Sequence, residues 1–180
     1  MIYIETERLL LRDWKESDID MFSQMNKDSD VMAYFPKTLT EKETLNLYTK
    51  IQTEFDQFGY GLYAVELKST GEFIGFTGFH WATFESSFTP CIEIGWRLKK
   101  ESWGKGYATE GAMACLNVGF TQLNFDKIIS FTAAINDPSR RVMEKIGLTY
   151  VKNFDFPGID NKHLINHVLF SLDRQSYTDN

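Results

Sequence analysis

The stretch that most constrains this chain is Trp103-Gly104-Lys105-Gly106-Tyr107-Ala108-Thr109-Glu110-Gly111. It follows a strand-like run, Ile92-Glu93-Ile94-Gly95-Trp96-Arg97-Leu98, and opens a helix-like run that extends to about Leu123. Glycines at a strand-to-helix turn let the backbone approach a ligand closely, because no Cβ stands in the way. The first N–H groups of the helix have no intrahelical partner and lie at the positive end of its dipole. That arrangement seats a phosphate or pyrophosphate. On its own the stretch reads equally well as a plain loop. It lacks the G-x-x-x-x-G-K-[ST] phosphate loop, and a dinucleotide G-x-G-x-x-G would need Gly where Thr109 stands.

The 180 residues are expected to form one domain, 1–180, large enough for a real core. A formal net charge of −6 argues against a nucleic-acid binder held by phosphate contacts and is compatible with an amine substrate. Cys91 and Cys115 form no C-x-x-C pair, so neither a disulfide framework nor a zinc site is expected, and no metal is assigned. The start, Met1-Ile2-Tyr3-Ile4-Glu5, does not read as a signal peptide, and no apolar run is long enough to span a membrane. A cytoplasmic protein is the expectation.

Along the chain, Arg8 to Trp14 reads as a first strand, and Ser17 is placed to cap a helix from Asp18 to about Met25. Residues 28–37 are irregular or a single turn. Thr40-Glu41-Lys42-Glu43 is a capping box, and Leu45, Tyr48, Ile51, Phe55 and Phe58 recur at helical spacing before Gly59. Gly61 to Leu67 and Glu72 to about Trp81 form a hairpin across Lys68-Ser69-Thr70-Gly71. After a loop, Phe84 to Pro90, the Ile92–Leu98 strand is expected to be antiparallel to its neighbour. Lys127 to Ala134 is a strand, and Asp137-Pro138 places an N-cap and a helix-starting proline. That helix ends at Gly147; Leu148 to Phe156 and His167 to Leu172 are the last two strands. The order gives a mixed α/β domain.

With these residues placed, the chain resembles the GNAT superfamily of acyl-CoA-dependent N-acetyltransferases from about Glu5 to Leu172. The resemblance is carried by Glu93-Ile94-Gly95-Trp96-Arg97-Leu98, by Trp103-Gly104-Lys105-Gly106-Tyr107-Ala108-Thr109-Glu110, and by the run Asn136 to Gly147 that begins Asn-Asp-Pro-Ser-Arg. Within the superfamily it is similar to the Rim-type branch, named for acetylation of ribosomal-protein N-termini, in which Trp at position 103 is familiar. The fold implied is a single α/β domain with a mixed, mostly antiparallel sheet, flanking helices and a splayed cofactor cleft. The resemblance implies that acetyl-CoA sets its pyrophosphate on the N–H groups between Gly104 and Thr109, in a stretch (Trp103, Gly104, Lys105, Gly106, Tyr107, Ala108, Thr109) that clasps it. It implies a pantetheine arm beside Trp96, Arg97 and Leu98, with Asn136 on its amides. The partners implied are acetyl-CoA and an amine acceptor, a small molecule or a peptide N-terminus; charge and hydropathy add the expectation of no nucleic acid and no membrane, and a monomer and a homodimer both stay open. A non-catalytic acyl-CoA sensor is the alternative of a different class.

Acetyl transfer to an amine needs a base for the ammonium and an acid for the departing thiolate. Glu93 is assigned as base; it shares a strand face with Arg97, so a surface carboxylate or a salt bridge to Arg97 is the competing reading. Met143 stands where many superfamily members carry an acidic Tyr. Ser139 is similar to a Rim-type Ser proposed to protonate the thiolate, and it reads equally as ordinary helix-start chemistry. Arg140 and Arg141 either reach the CoA phosphates or are solvated charges. Asp155, His163 and His167 are placed to line the acceptor side, with satisfied structural residues as the competing reading of the two histidines. Its wall is expected from Phe35, Phe79, Trp81 and Phe84, with His80 among them. Cys91 and Cys115 are read as small apolar residues rather than acyl carriers.

Overall fold

The computed structural model describes residues 1–177. Eight strands form one sheet: β1 (Ile2–Glu5), β2 (Leu9–Arg12), β3 (Leu62–Leu67), β4 (Phe73–Ala82), β5 (Cys91–Leu98), β6 (Lys127–Ala133), β7 (Thr149–Asp155) and β8 (Asn166–Asp173). Four helices accompany it: α1 (Ile19–Lys27), α2 (Glu41–Phe58), α3 (Tyr107–Thr121) and α4 (Asp137–Lys145). The sheet order is β1-β2-β3-β4-β5-β6-β8-β7. Every neighbouring pair is antiparallel except β5 and β6, which run parallel.

Strand alternation divides the sheet between two cores. On one face Phe79, Ile92, Ile94, Leu98, Ile128, Val168 and Phe170 pack with Ala112, Cys115, Leu116 and Phe120 of α3 and Met143 of α4. On the other, Ala64, Phe73 and Phe76 pack with Trp14, Phe22 and Met25, and with Ile51 of α2. The second face is further pinned by Arg12. Its buried guanidinium donates to both carboxylate oxygens of Asp18 at 2.7 and 3.0 Å and to Glu66 at 2.6 Å.

Local signals account for the best-defined helix. The Thr40 hydroxyl accepts from the Glu43 N–H, Glu43 reaches back to the Thr40 N–H, and Gly59 closes α2 in the left-handed region at φ 75°. The hairpin from β3 to β4 forms as read.

Three details differ from expectation. A strand precedes the expected first one: β1 pairs with β2, and only Ile4 of its four residues is buried, which leaves an edge strand with almost no hydrophobic pattern. Ser17 does not cap α1; it lies inside a 3-10 turn, Glu16–Asp18, where the Asp18 carboxylate accepts from the Lys15 N–H. The cap of α4 is Asn136 rather than Asp137, its Oδ1 accepting from the Ser139 N–H at 3.3 Å. Both cysteines are free. No described helix is long and apolar enough to cross a membrane.

Candidate functional site

The site begins where the sheet parts. Strands β4 and β5 pair without interruption from Ala82 and Cys91 to Gly75 and Leu98. By contrast, β5 meets β6 in register only at Glu93 and Ile129, while β6 pairs with β8 along its whole length. The Ser130 hydroxyl, buried, donates to the Ile94 carbonyl at 2.9 Å and marks the apex of the split. Beyond it Trp96, Arg97 and Leu98 diverge from β6, which leaves one edge of their backbone facing a gap. The Trp103 indole folds back and donates to the Leu98 carbonyl at 2.9 Å.

The glycine turn follows directly. Gly104 and Gly106 lie at φ 72° and 81°, a region that a residue with a Cβ enters only with strain. Gly106 is the N-cap of α3 and contributes no side-chain cap, so the N–H groups of the first turn, Tyr107, Ala108 and Thr109, are left for an outside acceptor. Lys105 is exposed beside them. The turn is fastened from behind. Arg8 donates to the Lys105 carbonyl at 2.9 Å and to Glu110 at 2.6 Å, and its guanidinium covers the Tyr107 ring at 4.7 Å. Glu110 also accepts from the Thr6 hydroxyl at 2.6 Å and the Arg8 N–H at 2.9 Å. Burial alone would raise the Glu110 carboxyl, yet these donors hold it below the usual carboxylate range.

On the α1–α2 face of the same strands, Glu93 and His80 are cross-strand partners, as are Arg97 and Phe76. His80 Nδ1 lies 2.6 Å from Glu54 Oε1 of α2. The bond to Glu54 lifts the His80 pKa, with Glu93 adding to the effect. No described side chain donates a hydrogen bond to Glu93. Burial pushes its carboxyl up to about 7, moderated by His80 and reinforced by Glu54. Arg97 does not pair with Glu93. Its Nη1 donates to Asn26 Oδ1 of α1 at 2.7 Å, and its guanidinium sits over Phe35 at 4.4 Å and Phe76 at 5.3 Å.

At the mouth of α4, Asn136 is buried and engaged on both sides: it caps the helix and its Nδ2 donates to the Thr132 hydroxyl at 2.8 Å. Ser139 lies partly exposed at the helix start. Arg140 turns inward, donating to the Ala134 carbonyl at 3.3 Å, with a buried Nε that has no partner. Arg141 is exposed.

The expected aromatic wall is redistributed. Phe79 and Trp81 pack with the α3-side core, because alternate residues of β4 face opposite ways, and only His80 of that trio looks onto the α1–α2 face. Phe84 is joined instead by Phe88, Phe131, Phe154 and Phe156, and His167 is buried against this cluster with Nδ1 3.1 Å from the Ile165 carbonyl. Burial lowers the His167 pKa. His163 and Asp155 are exposed. Burial pushes the Cys91 thiol up to about 11 and raises Cys115 further, so neither is a ready thiolate.

The family model described as "Acetyltransferase (GNAT) domain" matches residues 8–149. The chain belongs to the GNAT acetyltransferase family. This GNAT chain is 34% identical over 148 residues to YkkB of Bacillus subtilis (strain 168), covering 82% of this chain and 85% of that one. It is 30% identical to the FsC-acetyl coenzyme A-N(2)-transacetylase of Aspergillus fumigatus, covering 97% and 77%. The crystal structure of a GNAT-family acetyltransferase from Bacillus anthracis superposes with a TM-score of 0.80 at 30% identity, over 97% of this chain and 99% of that one.

Sequence reasoning did not single out two residues of this candidate site, Arg8 and Glu54. Arg8, the staple of the glycine turn, was read only as a strand end, and its contact lies about a hundred residues away in the chain. Glu54 carries no local pattern that sets it apart from the other charges of α2. His80 had been placed in the wall but not opposite Glu93, since that pairing depends on the register set by the 84–90 loop. The available signal was alternation in β4, which puts His80 on the face opposite to Phe79.

Proposed function

We propose that this chain transfers the acetyl group of acetyl-CoA to a primary amine by direct attack. The observation that carries the reading is the Glu93 carboxyl, poised at about 7 where β5 parts from β6. The cleft suits the donor. The turn offers main-chain N–H groups and Lys105 for the pyrophosphate, a Cβ on Gly104 would stand in open space while one on Gly106 would meet Arg8 at 3.4 Å, and the parted backbone at Trp96, Arg97 and Leu98 offers a strand edge to an extended arm.

In this reading Glu93 takes a proton from the acceptor ammonium. The freed nitrogen attacks the thioester carbonyl, whose developing oxyanion is met by a backbone N–H of β5. Collapse breaks the carbon–sulfur bond; Ser139 gives its proton to the leaving thiolate and is reprotonated by the second proton, which the acylated nitrogen sheds as it becomes an amide. His80 and Glu54 hold the charge balance around Glu93 as positioning residues. Asn136 meets the donor amides through the second Nδ2–H and second Oδ1 lone pair that its bonds to Thr132 and the Ser139 N–H leave over. Arg140 and Arg141 add positive charge near the phosphates.

The similar Aspergillus protein, named for transfer from acetyl coenzyme A, supports the choice of donor. Trp103 favours the Rim-type branch, with a peptide N-terminus or a small amine as acceptor and a monomer or homodimer as the working form. The test is thiol release from acetyl-CoA across a panel of amines. Release with at least one amine supports the reading; tight binding of acetyl-CoA without release for any amine would make the chain an acyl-CoA sensor. Met143, buried where the superfamily Tyr is expected, is the feature that favours that second outcome.

A further inference from the structure

Arg97 is a cation enclosed by protein without an anion. Its Nε is buried with no hydrogen-bond partner, and Asn26, a neutral amide, is the one described side chain that accepts from it. Buried arginines are ordinarily paired, because a desolvated charge is costly when it stands alone. The carboxylates closest in sequence on α1 and its following turn are committed elsewhere: Asp30 pairs with Lys100, and Asp28 accepts the Asp30 and Val31 N–H groups. Glu93, His80 and Glu54, which share this sheet face, form no ion pair with it. Phe35 and Phe76 hold the guanidinium plane, and Phe35 is itself 41% exposed, so the cation lies just beneath the surface rather than in the deep core.

We propose that Arg97 is the seat for a carboxylate borne by the amine acceptor, so that the acceptor is an amine with an anionic end. The inference rests on the transferase reading above. A planar guanidinium with free donors matches a carboxylate fork. One guanidinium beside a neutral amide balances a single negative charge. Burial lowers its pKa only to about 10, so it stays cationic near neutral pH. Glu93 and Arg97 are four residues apart on one strand face, a Cα spacing of about 13 Å. That spacing is an outer bound on the separation of the acceptor's amine and carboxylate, because the Glu93 carboxylate reaches to 3.9 Å from where a Cβ on Gly95 would stand.

The test compares ω-amino carboxylic acids of increasing length with their carboxamides as acceptors, read as kcat/KM by thiol release. The wild type is expected to prefer the carboxylates by on the order of 10- to 100-fold at its best length. Arg97→Gln removes the seat. Asn26→Asp keeps the packing but supplies a carboxylate of the protein's own to Arg97. In both variants the carboxylate-to-carboxamide ratio should fall to near one, while acetyl-CoA titration shows that each still folds. Equal use of acid and amide by the wild type, or a preference that survives both substitutions, would overturn the proposal. Release with other amines but with none of these acids would overturn this inference alone, whereas the absence of thiol release with any amine would overturn the transferase reading and this inference with it.

Discussion

His80 on β4 and Glu93 on β5 are direct cross-strand partners, and His80 in turn holds Glu54 of α2 at 2.6 Å. Side chains opposed in this way stand roughly 5 Å apart at Cβ, close enough for each charge to set the other's titration. The Glu93 carboxyl, proposed as the base, is set here by one imidazole and one second carboxylate.

Removing the cation should therefore move the base. In His80→Gln the downward influence on Glu93 is lost, and its pKa rises. The acid limb of the kcat/KM profile should shift to higher pH. Glu54→Gln acts both ways on Glu93, removing a carboxylate that raises it and weakening the positive charge on His80. The pH profile of His80→Gln checks this; a limb that coincides with wild type would remove His80 from the account.

Burial of Glu93 also leaves a mark on stability. Its folded pKa, about 7, lies above the ordinary carboxyl value of 4.5. The stability linked to this group is therefore fully present below pH 4.5 and is lost as pH rises through about 7. Glu93→Gln removes that loss, so at alkaline pH the variant should unfold at a higher temperature than wild type. The difference is at most about 3 kcal/mol, less for whatever solvent reaches the partly exposed residue. Thermal melts between pH 5 and 8, as an order-of-magnitude range around that pKa, give the comparison.

The glycine turn makes a separable prediction. Gly106→Ala strains a residue at φ 81°, a cost of about 1–2 kcal/mol, and should weaken acetyl-CoA binding by roughly tenfold. Gly106→Glu adds bulk and negative charge at the pyrophosphate seat and should abolish measurable binding. Titration calorimetry distinguishes the two; wild-type affinity in Gly106→Glu would displace the donor from this turn.

Arg8→Ala should loosen the same turn without touching the ligand. Because the Arg8 side chain is 44% exposed, the effect on unfolding should be modest, about 1 kcal/mol or less. Acetyl-CoA affinity should nevertheless fall several-fold, as the Lys105 carbonyl and Glu110 lose their common donor. Paired melting and binding measurements show whether the change is in the turn or in the fold.

How much of this could be read from residues alone depends on how far each signal travels along the chain. The Thr40 box and Gly59 bound α2 because both act within one helical turn. The β3–β4 hairpin was legible from its short polar link. By contrast, β1 carries a single buried residue, Ile4, and an edge strand of four residues leaves too little pattern to see. Ser17 looked like a cap, but the buried Arg12–Asp18 pair decides the backbone there, and that pair joins a strand to a turn. In the candidate site, local spacing puts the glycine turn at a helix start and Glu93 on a strand face with Arg97, and leaves a plain loop and a surface carboxylate as equal readings. The Arg8 staple, the His80–Glu93 register and the unanswered charge on Arg97 arise only when distant segments meet.

The central claim is that Glu93 accepts the proton of the acceptor amine. The most direct test is the pH dependence of acetyl transfer in wild type and in Glu93→Gln, with acetyl-CoA affinity measured alongside. We predict that wild-type kcat/KM rises through about pH 7, and that Glu93→Gln loses roughly 100-fold or more in turnover while binding acetyl-CoA nearly as well. Full activity of Glu93→Gln across about pH 6 to 9, a span centred on the range in which a base must change state, would contradict the account.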